Sequence, residues 1–260
     1  MTGLRADLPL LWRQIRSQNR TFWRTPVAAF FTLALPVFFL VLFSVLFGSA
    51  EVAEGYRFSQ FFAPAMAVFA AGSATFTSLS IGTALARDQG ILKRVRGTPL
   101  PPWIYMSGRI GSAVWIAVVS VVVMFSVAWA LFGFVMLWDN LGVALLMFVL
   151  GMATFSALGL SVCAVVKNAD SVPAVANAFF LPMAFISGIF IPLDDAPGWL
   201  LVLGDVFPLK HFAEPFGDSF NPFHTGQVLG WENLAIMSAW LVLGLIITIR
   251  FFSWDPKGSG

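Results

Sequence analysis

Long apolar runs separated by short polar knots set the rhythm of this chain. Apolar windows fall near residues 27–47, 61–86, 107–137, 141–166, 173–192 and 232–252. Each reaches the roughly 20 residues a helix needs to cross a hydrocarbon core. A backbone buried over that length satisfies its polar groups as helix, and strand-length alternation, the mark of a membrane barrel, is missing. The pattern predicts an all-α integral membrane protein with six transmembrane helices.

The segments between the windows are also patterned. In residues 4–24, Leu8, Leu11, Trp12, Ile15, Phe22 and Trp23 interleave with Arg13, Arg16, Arg20 and Arg24. That spacing predicts an amphipathic helix lying at the interface, apolar edge in lipid and arginines among headgroups. The block Arg87 to Pro102 is a charged elbow: helix-compatible through residues 86–96, then redirected by Gly97-Thr98-Pro99 and Pro101-Pro102. Residues 197–223 hold an apolar patch, Trp199 to Val206, too short to span and bounded by prolines. They predict one or two short re-entrant helices between spans five and six. Within the spans, the runs Gly72–Thr83 and Gly151–Ser161 are rich in small and hydroxyl residues, which let helices approach closely. Asn177, a polar amide inside span five, calls for a hydrogen-bond partner on another helix.

Composition sharpens this picture. Of 260 residues, 58% are hydrophobic and 11% charged, against about 25% charged in a soluble domain. The net charge of +2 hides strong sidedness. With six spans, Arg5, Arg13, Arg16, Arg20, Arg24, Arg87, Lys93, Arg94, Arg96, Arg109, Lys167, Arg250 and Lys257 share one side, and only Arg57 and Lys210 face the other. Basic flanks stay cytoplasmic, so both termini are expected inside a cell inner (plasma) membrane. The basic residues lie where anionic lipid meets them, and nucleic acid is not an expected partner. The N-terminal run does not read as a cleaved signal peptide, so the first span is expected to be retained.

Catalytic signatures are missing. The sequence contains no GxxxxGK[ST] phosphate loop, HExxH, CxxC or GxSxG pattern. The single cysteine, Cys163, reads as a small helix residue, and His211 and His224 as interfacial polar groups. Asp194-Asp195 reads as a solvated loop rather than a metal site. No charge sits at the middle of a span, which disfavours an embedded proton relay. Energy for any active transport is expected to enter from outside the chain, through a cytoplasmic surface.

The elbow carries a resemblance. Arg87-Asp88-Gln89-Gly90-Ile91-Leu92-Lys93-Arg94, with Arg96-Gly97-Thr98-Pro99-Leu100, Tyr105 and Arg109 after it, resembles the first cytoplasmic loop of type-2 ABC exporter permeases, a group of drug, polysaccharide and lipid exporters. Phe185 to Pro192, then Trp199 and Phe207-Pro208-Leu209, resemble that family's fifth-span exit and re-entrant region. The resemblance implies a permease dimer with two cytoplasmic ABC ATPase subunits on separate chains, which would bind ATP and Mg; this chain would hold no cofactor or metal. It implies a coupling helix over 86–96, with Arg87, Asp88, Gly90, Lys93, Arg94 and Arg96 serving the ATPase. Arg16, Arg20 and Arg24 would line the other wall of the receiving groove. The first and fifth spans would form the dimer seam, and Phe30, Phe38, Phe39, Asn177, Phe180 and Phe185 would line a seam or conduit. The chain itself would catalyse nothing. Its expected cargo is a hydrophobic or amphipathic substrate such as a drug or lipid. The alternatives are a glycolipid or polysaccharide cargo, or a membrane scaffold subunit with no conduit. The 28 phenylalanines do not choose between these by number, since a lipid-buried protein needs many; their facing decides.

Overall fold

The computed structural model describes residues 4–47, 51–53, 56–190 and 197–255. Helix α1, Leu4–Trp23, ends where Pro26 disfavours helical backbone in Thr25, which sits at φ −108° and ψ 86°. Helix α2 follows over residues 26–47 with a π turn at Phe30–Ala34. Pro36 lacks an N–H and its ring crowds the carbonyl four residues back; the widened turn lies at that point. A short antiparallel pair, β1 Glu51–Ala53 and β2 Tyr56–Arg57, leads into α3, Phe58–Asp88, which carries a second π turn at Ser73–Ser78. The two π turns are tied by a 2.8 Å hydrogen bond between the hydroxyls of Thr32 and Ser78.

The remaining helices are α4 Ile91–Arg96, α5 Pro102–Phe132, α6 Leu141–Val165, α7 Val172–Ile186, α8 Gly198–Val206, α9 Pro208–Asp218 and α10 Trp231–Phe251. Among the described residues, six segments are long and apolar enough to cross a membrane: Phe30–Phe47, Phe58–Asp88, Pro102–Phe132, Leu141–Val165, Ala169–Ile186 and Trp231–Phe251. Apart from that short strand pair the described fold is helical, and the protein is a multi-pass membrane protein.

Two boundaries depart from expectation. The third span is five residues out of register with the apolar window 107–137. Proline at the first helical position starts α5 at Pro102, and Gly133 stops it by adopting φ 68°. The amides of Gly133 and Phe134 then both donate to the Ala128 carbonyl. Residues beyond Gly133 stay apolar but are not helical: Phe134 turns inward and stacks on Phe125 at 5.0 Å. The elbow is likewise two elements, not one helix over 86–96. Helix α3 runs on to Asp88, Gly90 adopts φ 68°, and a fresh helix starts at Ile91. The end of the fifth window (191–192), Asp194-Asp195 and Lys257 lie outside the described residues.

Helices α3 and α6 form the centre. Inside a bilayer there is no water for helix contact to release, so close contact through small residues takes over. At Gly159, α6 lies directly on the α3 π turn: a methyl there would sit 2.6 Å from the Phe76 carbonyl oxygen and 2.9 Å from that of Thr75. On another side, α10 meets α6 at Gly244, where a methyl would sit 3.0 Å from the Ala157 carbonyl carbon. Thr154 donates to the Met237 carbonyl at 3.2 Å and Thr248 to that of Ala157 at 3.2 Å, stitching this pair. Helix α9 drives Phe212 onto Gly151, and Phe212 faces Phe155 at 6.2 Å.

Gly159→Ala should therefore cost about 1–3 kcal/mol of stability, because backbone carbonyls cannot swing away as a side chain can. A clear fall in the thermal unfolding midpoint in detergent checks this; an unchanged midpoint refutes the close approach.

Candidate coupling site at the basic end

One end of the bundle gathers the start of α5 and the ends of α3, α6 and α10, and it carries most of the basic residues. Its centre is Arg87, 1% exposed and so not on the surface that the elbow's charge suggested. Its guanidinium donates to the carbonyls of Cys163 at 2.6 Å, Val166 at 2.8 Å and Lys167 at 3.2 Å. These carbonyls close the C-terminal end of α6, where the helix dipole is negative and favours a cation. No ion pair forms at Arg87 among the described residues.

Beyond Arg87 the chain turns outward. Asp88 is exposed, and Gly90 supplies the left-handed residue that turns the path into α4. Lys93, Arg94 and Arg96 are exposed on α4, with Arg94 donating to the Gln89 carbonyl at 3.0 Å. The opposite face of α4 buries Leu92 completely. Leu92 sits with Ala86 and Tyr105 in a small apolar socket that Ile91, Val95, Leu100, Met106, Phe252 and Trp254 close. Helix α4 is thus a cationic rod on an apolar seat.

Arg109 organises the neighbouring corner. It donates to Thr83 of α3 at 3.1 Å, to Gln18 of α1 at 3.3 Å and to the Tyr105 hydroxyl at 3.3 Å. Helix α1 rests on α5 where Gln14 and Ile15 lie against Gly108 and Gly111. This leaves α1 with three sides. One faces α5; one exposes Leu8, Trp12 and Trp23; one exposes Arg13, Arg16 and Arg20, with Arg24 exposed just past its end. An exposed apolar stripe beside an arginine stripe suits a helix at a lipid interface.

The opposite end is built differently. Gln60 bonds through both halves of its amide, accepting from the Val135 N–H at 2.9 Å and donating to the Val135 and Phe220 carbonyls at 2.8 and 2.9 Å. Lys210 pairs with Asp205 at 2.6 Å and Glu214 at 3.5 Å. His211 bonds Asn233 at 2.7 Å and the Asp205 carbonyl at 2.8 Å, and Trp240 donates to the Val206 carbonyl at 2.8 Å. Burial raises the Glu214 carboxyl above its ordinary range, against the lowering pull of Lys210. These bonds fasten α8 and α9 to the start of α10.

The aromatic residues named from sequence separate by facing. Phe180 is 1% exposed and lies among Phe69, Phe76 and Phe155 with centroids 5.4–6.4 Å away. It is core, not lining. Phe39 is half-buried against Phe43 and Phe190. Phe30, Phe38 and Phe185 are 53%, 56% and 58% exposed on α2 and α7. Asn177 is exposed on α7, and its side-chain amide bonds no other described residue, so the expected partner on another helix is not within this chain's described fold. Neither the Gln18–Arg109–Thr83 bridge nor the Phe252–Trp254 tail is among the site residues expected from sequence. An arginine seven residues inside a 31-residue helix was the available signal for the first; nothing in the tail's composition marked the second.

Comparison with known proteins agrees with this architecture. The family model described as ABC-2 type transporter matches residues 9–220. The chain is similar to the daunorubicin resistance ABC transporter permease protein DrrB1 of Streptomyces coeruleorubidus, 28% identical over 82% of this chain and 74% of that protein. It is similar to the putative transport permease YvfS of Bacillus subtilis (strain 168), 24% identical over 92% and 95% of the two chains. It is also similar to the putative transport permease ycf38 of Cyanophora paradoxa, 27% identical over 88% and 75%.

Arg109→Ala should loosen α1 from the bundle, since Gln18 loses a charge-assisted bond. Amide exchange across the middle of α1 is expected to rise about tenfold, in line with about 1.5 kcal/mol for such a bond, while exchange in the middle of α6 stays unchanged. Equal protection of α1 in both proteins contradicts the bridge.

Proposed function

The chain belongs to the ABC-2 type transporter family, and on that premise we propose that it is the membrane-spanning permease subunit of an ATP-driven exporter for hydrophobic or amphipathic molecules. It performs no covalent chemistry. Two cytoplasmic ABC ATPase subunits, on separate chains, bind ATP and Mg. The basic end is the cytoplasmic end, as the positive-inside rule expects, and both termini lie there in the inner membrane. The observation that carries the reading is α4: Lys93, Arg94 and Arg96 exposed on one side, Leu92 seated in an apolar socket on the other. Such an element binds an acidic partner surface and passes a push into the bundle. Arg16, Arg20 and Arg24 flank the docking surface from α1.

A second copy of the permease completes the conduit. Phe69, Phe76, Phe155, Phe180 and Phe212 fill the protomer's middle, which supports a path along the outward face of α2 and α7, where Phe30, Phe38, Phe185 and Asn177 are exposed. Apolar walls with one amide suit a cargo held by apolar contact and oriented by a hydrogen bond. The α8–α9 pair reads as a re-entrant hairpin from the far side, supported by the seating of Phe212 on Gly151, ten residues into α6. The resistance named for the Streptomyces relative supports a drug as cargo ahead of a glycolipid or polysaccharide.

The chain purified with its copurifying ABC ATPase and placed in proteoliposomes should move daunorubicin or a fluorescent phospholipid only with ATP. Movement of the phospholipid alone selects the lipid reading. Hydrolysis with neither probe moving rejects the hydrophobic-exporter reading, and no ATPase partner at all leaves the scaffold reading standing.

Gly90 gives a sharper test of the lever. Proline there cannot adopt φ 68° and removes the N–H that donates to the Arg87 carbonyl at 3.0 Å. Gly90→Pro is expected to insert normally and hydrolyse ATP with export lost. Gly90→Ala, strained by about 1 kcal/mol, should keep most export. Full coupling in the proline variant contradicts the lever.

A further inference from the structure

The elbow has two attachments that reach past its own neighbours, and both end on one helix pair. Arg87, the last buried residue of α3, holds the C-terminal end of α6 through three carbonyls. Past the end of α10, Phe252 and Trp254 fold back under α4. Trp254 lies 6.5 Å from Tyr105 and 5.7 Å from Phe252, centroid to centroid. Phe252 also packs against the small cluster of Ala84, Cys163, Ala169 and Val172, so it joins the elbow socket to the cluster where the ends of α3 and α6 meet the start of α7. Helices α6 and α10 are themselves stitched by Thr154 and Thr248 and pressed together at Gly244. We propose that Arg87 and Trp254 are positioning residues that tie the elbow to the α6–α10 pair, so that displacement of α4 moves that pair as one body.

The chemistry favours a rigid tie. Three charge-assisted bonds from one planar guanidinium fix both the distance and the angle between α3 and α6, which a lysine ammonium cannot do. With no carboxylate paired to it among the described residues, Arg87 depends on those carbonyls for its stability in the interior. The tail adds an apolar tie on the other helix of the pair, leaving the exposed faces of α2 and α7 outside the linkage. A push on α4 then reaches α6 and α10 through these two ties, as well as α3 and α5 through the socket itself.

The transmission claim rests on the exporter reading; the tie itself does not. The chain's single cysteine, Cys163, lies fully buried beside the Arg87 bond and reports on it directly. Membrane-permeant N-ethylmaleimide applied to the full permease–ATPase complex in vesicles, followed by mass spectrometry, measures its reactivity. Arg87→Gln is expected to speed labelling about tenfold or more, the effect of losing one charge-assisted bond; Arg87→Lys should fall between. Trp254→Ala is expected to raise ATP hydrolysed per molecule exported, a rise that Trp254→Phe, with its ring still beside Tyr105 and Phe252, should reverse. Arg87→Gln should raise the same ratio. Unchanged Cys163 labelling in Arg87→Gln overturns the clamp. Faster labelling with an unchanged hydrolysis-to-export ratio in both variants overturns the transmission. If the unmodified complex exports nothing, the exporter reading and the transmission fall together, and the labelling arm alone judges the clamp.

Discussion

Helices in a bilayer must be held together without water to drive them, and α6 meets that constraint with backbone contact. Gly159 on the α3 π turn, Gly244 of α10 against Ala157, and Gly151 under Phe212 bring three neighbours to distances that any larger side chain would prevent. Dispersion and interhelical hydrogen bonds act at that range, which is why small residues dominate this seam. Helix α3 is buried because α6, α5, α2 and α9 surround it, α9 is seated because Gly151 leaves room, and α10 reaches the elbow because it runs beside α6.

Two arginines complete the arrangement at the basic end, and neither relies on a carboxylate among the described residues. Arg87 takes helix-end carbonyls; Arg109 takes a threonine, a glutamine and a tyrosine. Carbonyls at a helix terminus are fixed in place by the helix itself, so the cation gains partners that need little reordering. The result is a stiff junction directly beneath a six-residue helix whose outer face is cationic. A stiff base under an exposed rod is the mechanical requirement for a lever. The opposite end, held by Gln60, His211 and Lys210, fastens α8 and α9 against the same bundle.

Legibility from sequence followed the nature of each signal. Hydropathy located six spans because an apolar run of 20 residues has few other uses. It misjudged the end of α5, since Phe134 to Leu137 are as apolar as a helix yet are not helical; Gly133 was the only mark of the stop. The elbow was visible as charge, but charge alone put Arg87 on the surface. Burial of an arginine depends on acceptors from residues 163–167, far away in the chain. Likewise the family resemblance implied a seam or conduit lined by phenylalanines, and only facing separated Phe180 of the core from Phe30, Phe38 and Phe185 on the outside.

By itself the sequence determined that the chain is a bundle of membrane helices, which end is basic, and where the elbow lies. These are local properties: hydropathy, charge and proline or glycine punctuation act within a few residues of where they are written. Tertiary structure alone decided that Arg87 caps α6, that Arg109 bridges three helices, and that Phe252 and Trp254 close the socket under α4. Those contacts join residues dozens of positions apart, and the geometry of helix packing, which no local pattern encodes, brings them within hydrogen-bond or ring-contact distance.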